Sequence, residues 1–221
     1  MDVLHLTERN QAAVLERVVS LLRRGGVVAV PTDTVYGLAA DITRADAVRK
    51  VFRIKARSHV KALPVFVRDV EVAGRYAFIE RELVKRLEEM WPGPTTVVLR
   101  KKPSVPDIVT GGMRTVGLRV PDHPFMRELL GRCPNPLIGT SANLSGSESA
   151  SSSIEVQKIF RRHVPRPDLI VDGGQLPPSP PSTVLDLTHP DNPKILRMGA
   201  ITKKKLDEYL RITNGFRITN S

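Results

Sequence analysis

The stretch Gly25-Gly26-Val27-Val28-Ala29-Val30-Pro31 constrains this chain more than any other. A glycine pair ends a helix and four small apolar residues make a buried strand. Pro31 then stops the strand, because proline has no N–H to give a ladder. Beyond the proline, Thr32-Asp33-Thr34-Val35-Tyr36-Gly37-Leu38 sets three hydroxyls and one carboxylate at the strand end. In open α/β sheets ligands collect beyond the carboxyl ends of strands, and these residues supply donors and acceptors together. The competing reading is a turn whose Thr and Asp side chains only cap the next element.

A buried strand needs a core around it, and 221 residues with 41% hydrophobic side chains can supply one large domain better than two. No apolar run approaches a membrane span. Asp2 and His5 stand in place of a basic start, and no apolar core precedes Glu8, which argues against a secretory signal. A cytoplasmic protein is expected. The single cysteine, Cys133, excludes an internal disulfide framework and a zinc site built on several cysteines, and is expected to pack. Thirty-four Lys plus Arg against 23 Asp plus Glu give a formal charge of +11, which favours polyanions such as nucleotides or RNA. That balance also occurs in proteins that bind neither, until the charges are found on one face.

Thr7 is the expected cap of a first helix with apolar positions Ala12, Leu15, Val19 and Leu22. Thr43 is the expected cap of a second, whose stripe is Ala47, Val48, Val51 and Phe52 and whose end is Ile54-Lys55. Helices are also expected at 70–76, 80–90, 124–131, 153–161 and 202–210. Strands are expected at 63–67, 95–100, 115–120, 136–140, 168–172, 183–187 and 194–197. The strands outnumber the helices and do not alternate with them strictly, so the expected fold is α/β: a single domain with a twisted mixed β-sheet flanked by helices, over residues 1–212. Residues 213–221 read as a disordered tail.

Five further segments could carry chemistry. Lys55-Ala56-Arg57-Ser58-His59-Val60-Lys61 places three cations just after a helix, which suits a triphosphate or else a solvated helix exit. In Thr115-Val116-Gly117-Leu118-Arg119, alternation puts Thr115, Gly117 and Arg119 on one face. A buried arginine there needs an anion, either a protein carboxylate or a ligand. Gly139-Thr140-Ser141-Ala142-Asn143-Leu144-Ser145-Gly146 is a polar turn after an apolar strand. Ser182-Thr183-Val184-Leu185-Asp186 and Leu196-Arg197-Met198-Gly199 complete the set. No Walker-type loop, His-Glu metal helix or Cys-His nucleophile pair is present in the sequence.

Pro31-Thr32-Asp33-Thr34-Val35-Tyr36-Gly37-Leu38 closely resembles the opening motif of the YrdC-type threonylcarbamoyl-AMP synthases, and the resemblance runs from about residue 8 to 210. The Lys-Xaa-Arg, Thr-Val-Xaa-Xaa-Arg and Ser-Ala-Asn segments match in the family's order. Ala56 stands where the family usually has glycine, and Pro181 and Met198 are further departures. The resemblance implies a YrdC-like fold and synthesis of L-threonylcarbamoyladenylate and pyrophosphate from L-threonine, bicarbonate or CO2, and ATP. Mg2+ would accompany ATP, with no metal ligand assigned to the protein.

By the same resemblance Lys55 and Arg57 are the catalytic candidates. Arg57, Lys61, Thr115, Asn143, Ser151 and Arg197 would hold the nucleotide, and Thr34, Arg119, Ser141 and Ser182 the threonine. The product would serve threonylcarbamoyladenosine formation in tRNA through a downstream threonylcarbamoyl-transferase complex, with tRNA or double-stranded RNA as candidate partners. The rival reading is an RNA-binding module of the same fold without adenylating activity. The carbamoyl-adenylating domain of hydrogenase maturation proteins, a second rival, normally travels with cysteine-rich zinc modules that a one-cysteine chain lacks.

Overall fold

Period-two alternation in the strands decides how the sheet is covered. In Val28-Ala29-Val30, the two valines pack toward one side and Ala29 toward the other, and in the neighbouring strand Ala39 opposes Leu38 and Ala40 in the same way. Each face therefore carries its own apolar layer.

The computed structural model describes residues 1–211, so the tail expected at 213–221 lies outside the described residues. In chain order the strands are β1 (Asp2–His5), β2 (Val28–Val30), β3 (Gly37–Asp41), β4 (Val65–Phe66), β5 (Thr95–Arg100), β6 (Thr115–Arg119), β7 (Leu137–Ser141), β8 (Leu169–Asp172), β9 (Thr183–Asp186) and β10 (Lys194–Arg197). The helices are α1 (Gln11–Arg23), α2 (Ala45–Ile54), α3 (Val70–Ala73), α4 (Arg81–Met90), α5 (Asp107–Thr110), α6 (Pro124–Arg132), α7 (Ser153–Phe160) and α8 (Lys203–Arg211). The strands form one mixed sheet in the order β1-β8-β2-β3-β7-β4-β6-β5-β9-β10. β1 with β8, β8 with β2, β4 with β6 and β5 with β9 run parallel, and the other neighbours antiparallel. This is the mixed α/β sheet that the strand-rich pattern predicts.

On one face α1 and α6 bury Val14, Leu15, Val18, Leu22, Phe125, Met126 and Leu129 against β2, β7 and β8. On the other, α2, α4, α7 and α8 bury Val48, Val51, Phe52, Leu83, Leu87, Val156, Phe160 and Leu206 in a larger core. Cys133 is half-buried and its thiol is pushed up to about 12 by that burial, in keeping with a packing role.

Several local expectations change. Asn10, not Thr7, precedes α1, and its side chain instead accepts from Thr7 N and donates to His5 O. Ala12 is exposed while Val14 and Val18 are buried, which turns the helix by half a stripe. Arg44, not Thr43, precedes α2, because Thr43 gives both its N–H and its hydroxyl to Asp41 Oδ1. The segment 63–67 yields only the two-residue β4, with Leu63 and Val67 continuing its hydrogen bonding to Val109 and Arg119.

Candidate active site

The motif between β2 and β3 folds over the sheet rather than capping a helix. Thr32 Oγ1 donates to Val35 O at 2.7 Å and lies 3.2 Å from Thr34 Oγ1, which closes the turn and directs both threonines inward. Tyr36 is fully buried; its hydroxyl donates to Gly174 O and accepts from Gly173 N. Burial raises its pKa to about 12, so this motif residue ties two loops together.

Beside the turn lies a cleft of about 330 Å³, within the range of small-ligand sites. Its floor is opened by residues without bulk. A Cβ at Gly139 would sit 2.5 Å from the Phe66 ring, so only glycine lets that ring lie flat across β7. Arg119, the register partner of Phe66 in the parallel β4–β6 pair, stands over the same face with its guanidinium carbon 5.8 Å from the ring centroid.

Arg119 is only 4% exposed. Its Nε donates to Gly93 O at 3.0 Å, Nη1 to Thr34 Oγ1 at 3.3 Å and Nη2 to Asp33 Oδ1 at 2.7 Å. Burial depresses its pKa and Asp33 opposes that effect. The sequence left protein carboxylate and ligand open as its partner, and the protein carboxylate is Asp33.

The basic segment is built by the end of α2. Ala56 N–H donates to Arg53 O and Arg57 N–H to Phe52 O, a Schellman pattern that requires a left-handed residue at position 56. Ala56 adopts it with φ 46°. The glycine position of the family therefore keeps its conformation here at a steric cost. Ala56 is exposed and makes no side-chain packing, so Ala56→Gly should raise stability by about 1 kcal/mol in a denaturant titration without changing ligand binding.

Lys55, just before the reversal, keeps helical φ/ψ and gives its N–H to Val51 O, so it extends the buried face of Val48, Val51 and Phe52. Lys55 is 2% exposed and its ammonium donates to Ser141 O, Asn143 O and Asn143 Oδ1 at 2.5, 2.9 and 2.9 Å. Burial, with a smaller push from Arg57, lowers its pKa to about 7. Lys55 is therefore no part of a solvated helix exit, whereas residues 58–61 of the same segment are exposed.

Arg57 is half-buried, its guanidinium held by the carbonyls of Lys61 and Ala62. Arg197 donates from Nε and Nη2 to Ser182 O at 3.2 and 2.7 Å. Burial lowers both arginines, and Arg197 lowers Arg57 further. Among the described residues neither arginine nor Lys55 has a carboxylate in ion-pair reach. Three cations gathered without a counter-charge favour a polyanion.

Thr34, Lys55, Arg57, Arg119, Ser141, Asn143, Ser182 and Arg197 all line this cleft. The amide of Asn143 is spent inside the protein: Oδ1 accepts from Lys55 and from Ser141 Oγ, and Nδ2 donates to Ser147 O. Ser182 Oγ shares a 2.9 Å hydrogen bond with Thr96 Oγ1.

Three expected residues are not among the lining. Lys61 is exposed on the loop. Ser151 lines an adjoining hollow that shares Ser147 and Ser149 with the cleft, and its hydroxyl is engaged by Glu155 and Gln175. Thr115 sits at the opposite end of β6, paired with Arg100, in a separate basic depression with Phe78, Lys102 and Arg114. Phe66 and Thr140 were missed, since in sequence each is an ordinary residue of an apolar strand.

Residues 20–199 match the model of the Sua5/YciO/YrdC proteins, described as telomere recombination. The chain belongs to that family. A relative from Methanocaldococcus jannaschii is 37% identical over 208 residues, covering 93% of this chain and 95% of its own. The threonylcarbamoyl-AMP synthase of Mus musculus is 40% identical over 201 residues, covering 87% of this chain and 68% of that protein. The crystal structure of Pyrococcus abyssi Sua5 complexed with L-threonine superimposes with a TM-score of 0.88 at 31% identity. That alignment covers 99% of this chain, which spans 63% of the Sua5 chain. The Sua5/YrdC fold is thus present nearly end to end. No helix among the described residues is long and apolar enough to cross a membrane.

Proposed function

We propose that this Sua5/YrdC protein is a threonylcarbamoyl-AMP synthase, an adenylyl-transferring enzyme, and that the cleft holds L-threonine and ATP together. The observation carrying this reading is the pairing of two unlike anion sites in one cleft. Arg119 offers a guanidinium steadied by Thr34 and Asp33, which suits a carboxylate. Lys55, Arg57 and Arg197 form a cluster without counter-charge, which suits phosphates.

The neutral amine of threonine adds to carbon dioxide, drawn from bicarbonate, and loses a proton to give a carbamate. A carbamate oxygen then attacks the α-phosphorus of ATP, the new P–O bond forms, the bond to the β-phosphate oxygen breaks, and pyrophosphate leaves. The carbamate is its own nucleophile, so the protein aligns the two substrates and neutralises charge. Arg119, Thr34, Ser141 and Ser182 place the amino acid. Arg57 and Arg197 meet the phosphates, and Lys55 adds its charge beside them while its three N–H groups stay on Ser141 O, Asn143 O and Asn143 Oδ1. Ser151 and Lys61 would reach the nucleotide only if their loops shift, whereas Thr115 is fixed in β6 away from the cleft.

The polar part of the lining is hydroxyl, amide and cationic, without a carboxylate of its own. Magnesium therefore fits as the companion of the ATP phosphates rather than in a protein cage, and would offset their charge. The product would pass to a threonylcarbamoyl transferase acting on tRNA, and the cytoplasm is the compartment that suits this chemistry.

The test measures pyrophosphate release with each amino acid in turn, with and without bicarbonate. Release that depends on threonine, ATP and bicarbonate is expected. Its absence, together with steep salt dependence of RNA binding, would favour the RNA-binding module instead.

The low pKa of Lys55 gives a second expected result. Above about pH 7 the empty site holds a largely neutral Lys55, and arriving phosphates favour its charged form. ATP binding should take up a proton at pH 8 and almost none at pH 6. Calorimetry in buffers of different ionisation enthalpy reads this directly. Equal uptake at both pH values would remove Lys55 from the phosphate site.

A further inference from the structure

Among the side chains that line the cleft, Arg119 is the one cation given a protein carboxylate, and that carboxylate is peculiarly held. Asp33 accepts from Arg119 Nη2 through Oδ1 at 2.7 Å, while its Oδ2 is buried with no hydrogen-bond partner. The two side chains are 11% and 5% exposed. A carboxylate buried beside a guanidinium ordinarily takes both N–H groups of the fork, and this one takes a single N–H.

A guanidinium has five N–H groups. Gly93 O, Thr34 Oγ1 and Asp33 Oδ1 occupy one each on Nε, Nη1 and Nη2. The remaining two are divided between Nη1 and Nη2, the number and placement that a second carboxylate uses in a two-pronged contact. The three anchors come from two stretches of chain, the Asp33-Thr34 turn and Gly93, and together they fix the plane of the group. Loss of the Nη2 anchor would let the fork swing about its Nε and Nη1 bonds.

We propose that Asp33 is the positioning residue for Arg119, holding the guanidinium by one edge so that its two free N–H groups are presented to the α-carboxylate of the substrate amino acid. Asp33 acts through Arg119, since its own free oxygen is closed off from the cleft. Its charge offsets that of Arg119 while the pocket is empty, which keeps a buried cation from standing alone. Placement, more than charge, is its contribution to recognition. This inference rests on the reading that Arg119 receives the carboxylate of threonine.

The test separates placement from charge by steady-state pyrophosphate release with threonine and ATP varied in turn. Asp33→Asn keeps an oxygen for Nη2 and removes the charge, and should leave the threonine KM within about threefold. Asp33→Glu keeps the charge but moves the carboxylate by one methylene. It should raise the threonine KM about tenfold or more while the ATP KM stays within about twofold. Asp33→Ala should follow the Glu variant if it folds, and the Asn and Glu pair decides the matter if it does not. The reverse order, with Asn severe and Glu mild, would overturn the proposal in favour of a charge effect. So would equal rises in both Michaelis constants, or no rise in either. Arg119→Lys is measured alongside: an unchanged threonine KM there would sink the substrate reading itself, whereas a raised one with wild-type behaviour of Asp33→Glu would sink only the positioning role.

Discussion

Lys55→Met should fold and yet lose about 10²–10³-fold in turnover, the usual cost of removing one preorganised electrostatic group. Methionine fills much of the volume of a lysine and carries no charge, so it relieves the burial penalty on a side chain only 2% exposed. The sign of the stability change comes from the pKa of about 7 against the ordinary 10.5. Below pH 7 the folded protein must keep a buried ammonium, and the penalty is fully present. As the pH rises from about 7 toward 10.5 the folded form sheds the proton while the unfolded chain keeps it, and the penalty fades. The Met variant should therefore gain most in stability, relative to wild type, below pH 7. Both variants take the donor from Ser141 O, Asn143 O and Asn143 Oδ1, at about 1–3 kcal/mol for unsatisfied acceptors. Lys55→Ala differs by adding a void where Met fills the space, and so should be the less stable of the two. Thermal melts across pH 5–9 with pyrophosphate release on the same samples check both halves. A Met variant with wild-type turnover would show that Lys55 only shapes the Ser141–Asn143 turn.

The burial that makes this result large was illegible in the sequence. Lys55 comes after an amphipathic helix, among other cations, and such a position ordinarily faces solvent. Its charge hid the fact that it stands one helical turn beyond Val51 and Phe52 on the buried stripe of α2, where its helical φ/ψ keeps it. The partners of Lys55 then arrive from residues 141 and 143, and the partner of Arg119 from residue 33. Periodicity carries no information about pairs so far apart in the chain.

The longer helices and most strands were legible, because their stripes and alternation are strong. β3 was not, since Gly37-Leu38-Ala39-Ala40-Asp41 has no β-branched residue and continues the motif without a break. Thr7 and Thr43 were plausible caps by composition, yet each hydrogen-bonds within its own loop instead. The site motifs were legible through resemblance, and eight of their residues converge on the cleft. Thr115 does not, because it stands four steps of extended strand from Arg119, roughly 13 Å at the rise of a β-strand.

Arg119→Lys should weaken threonine binding by about ten- to hundredfold while ATP affinity, measured without threonine, moves far less. Lysine keeps the charge, so an electrostatic role alone would survive the change. Its ammonium cannot serve Gly93 O, Thr34 Oγ1 and Asp33 Oδ1 at their present separations and still offer two parallel N–H groups outward. At least one charge-assisted bond to the substrate is lost, on the order of 1.5–3 kcal/mol. The same argument predicts a lower melting temperature, because Gly93 O or Asp33 is left short of a donor in a site that is nearly closed to water. Binding is therefore to be titrated well below the transition of the variant, with each ligand added separately. Should ATP binding fall while threonine binding holds, Arg119 belongs to the phosphate cluster with Arg57 and Arg197, and the two halves of the cleft are exchanged. A variant as stable as wild type with unchanged affinity for both ligands would mean that the buried fork meets neither ligand.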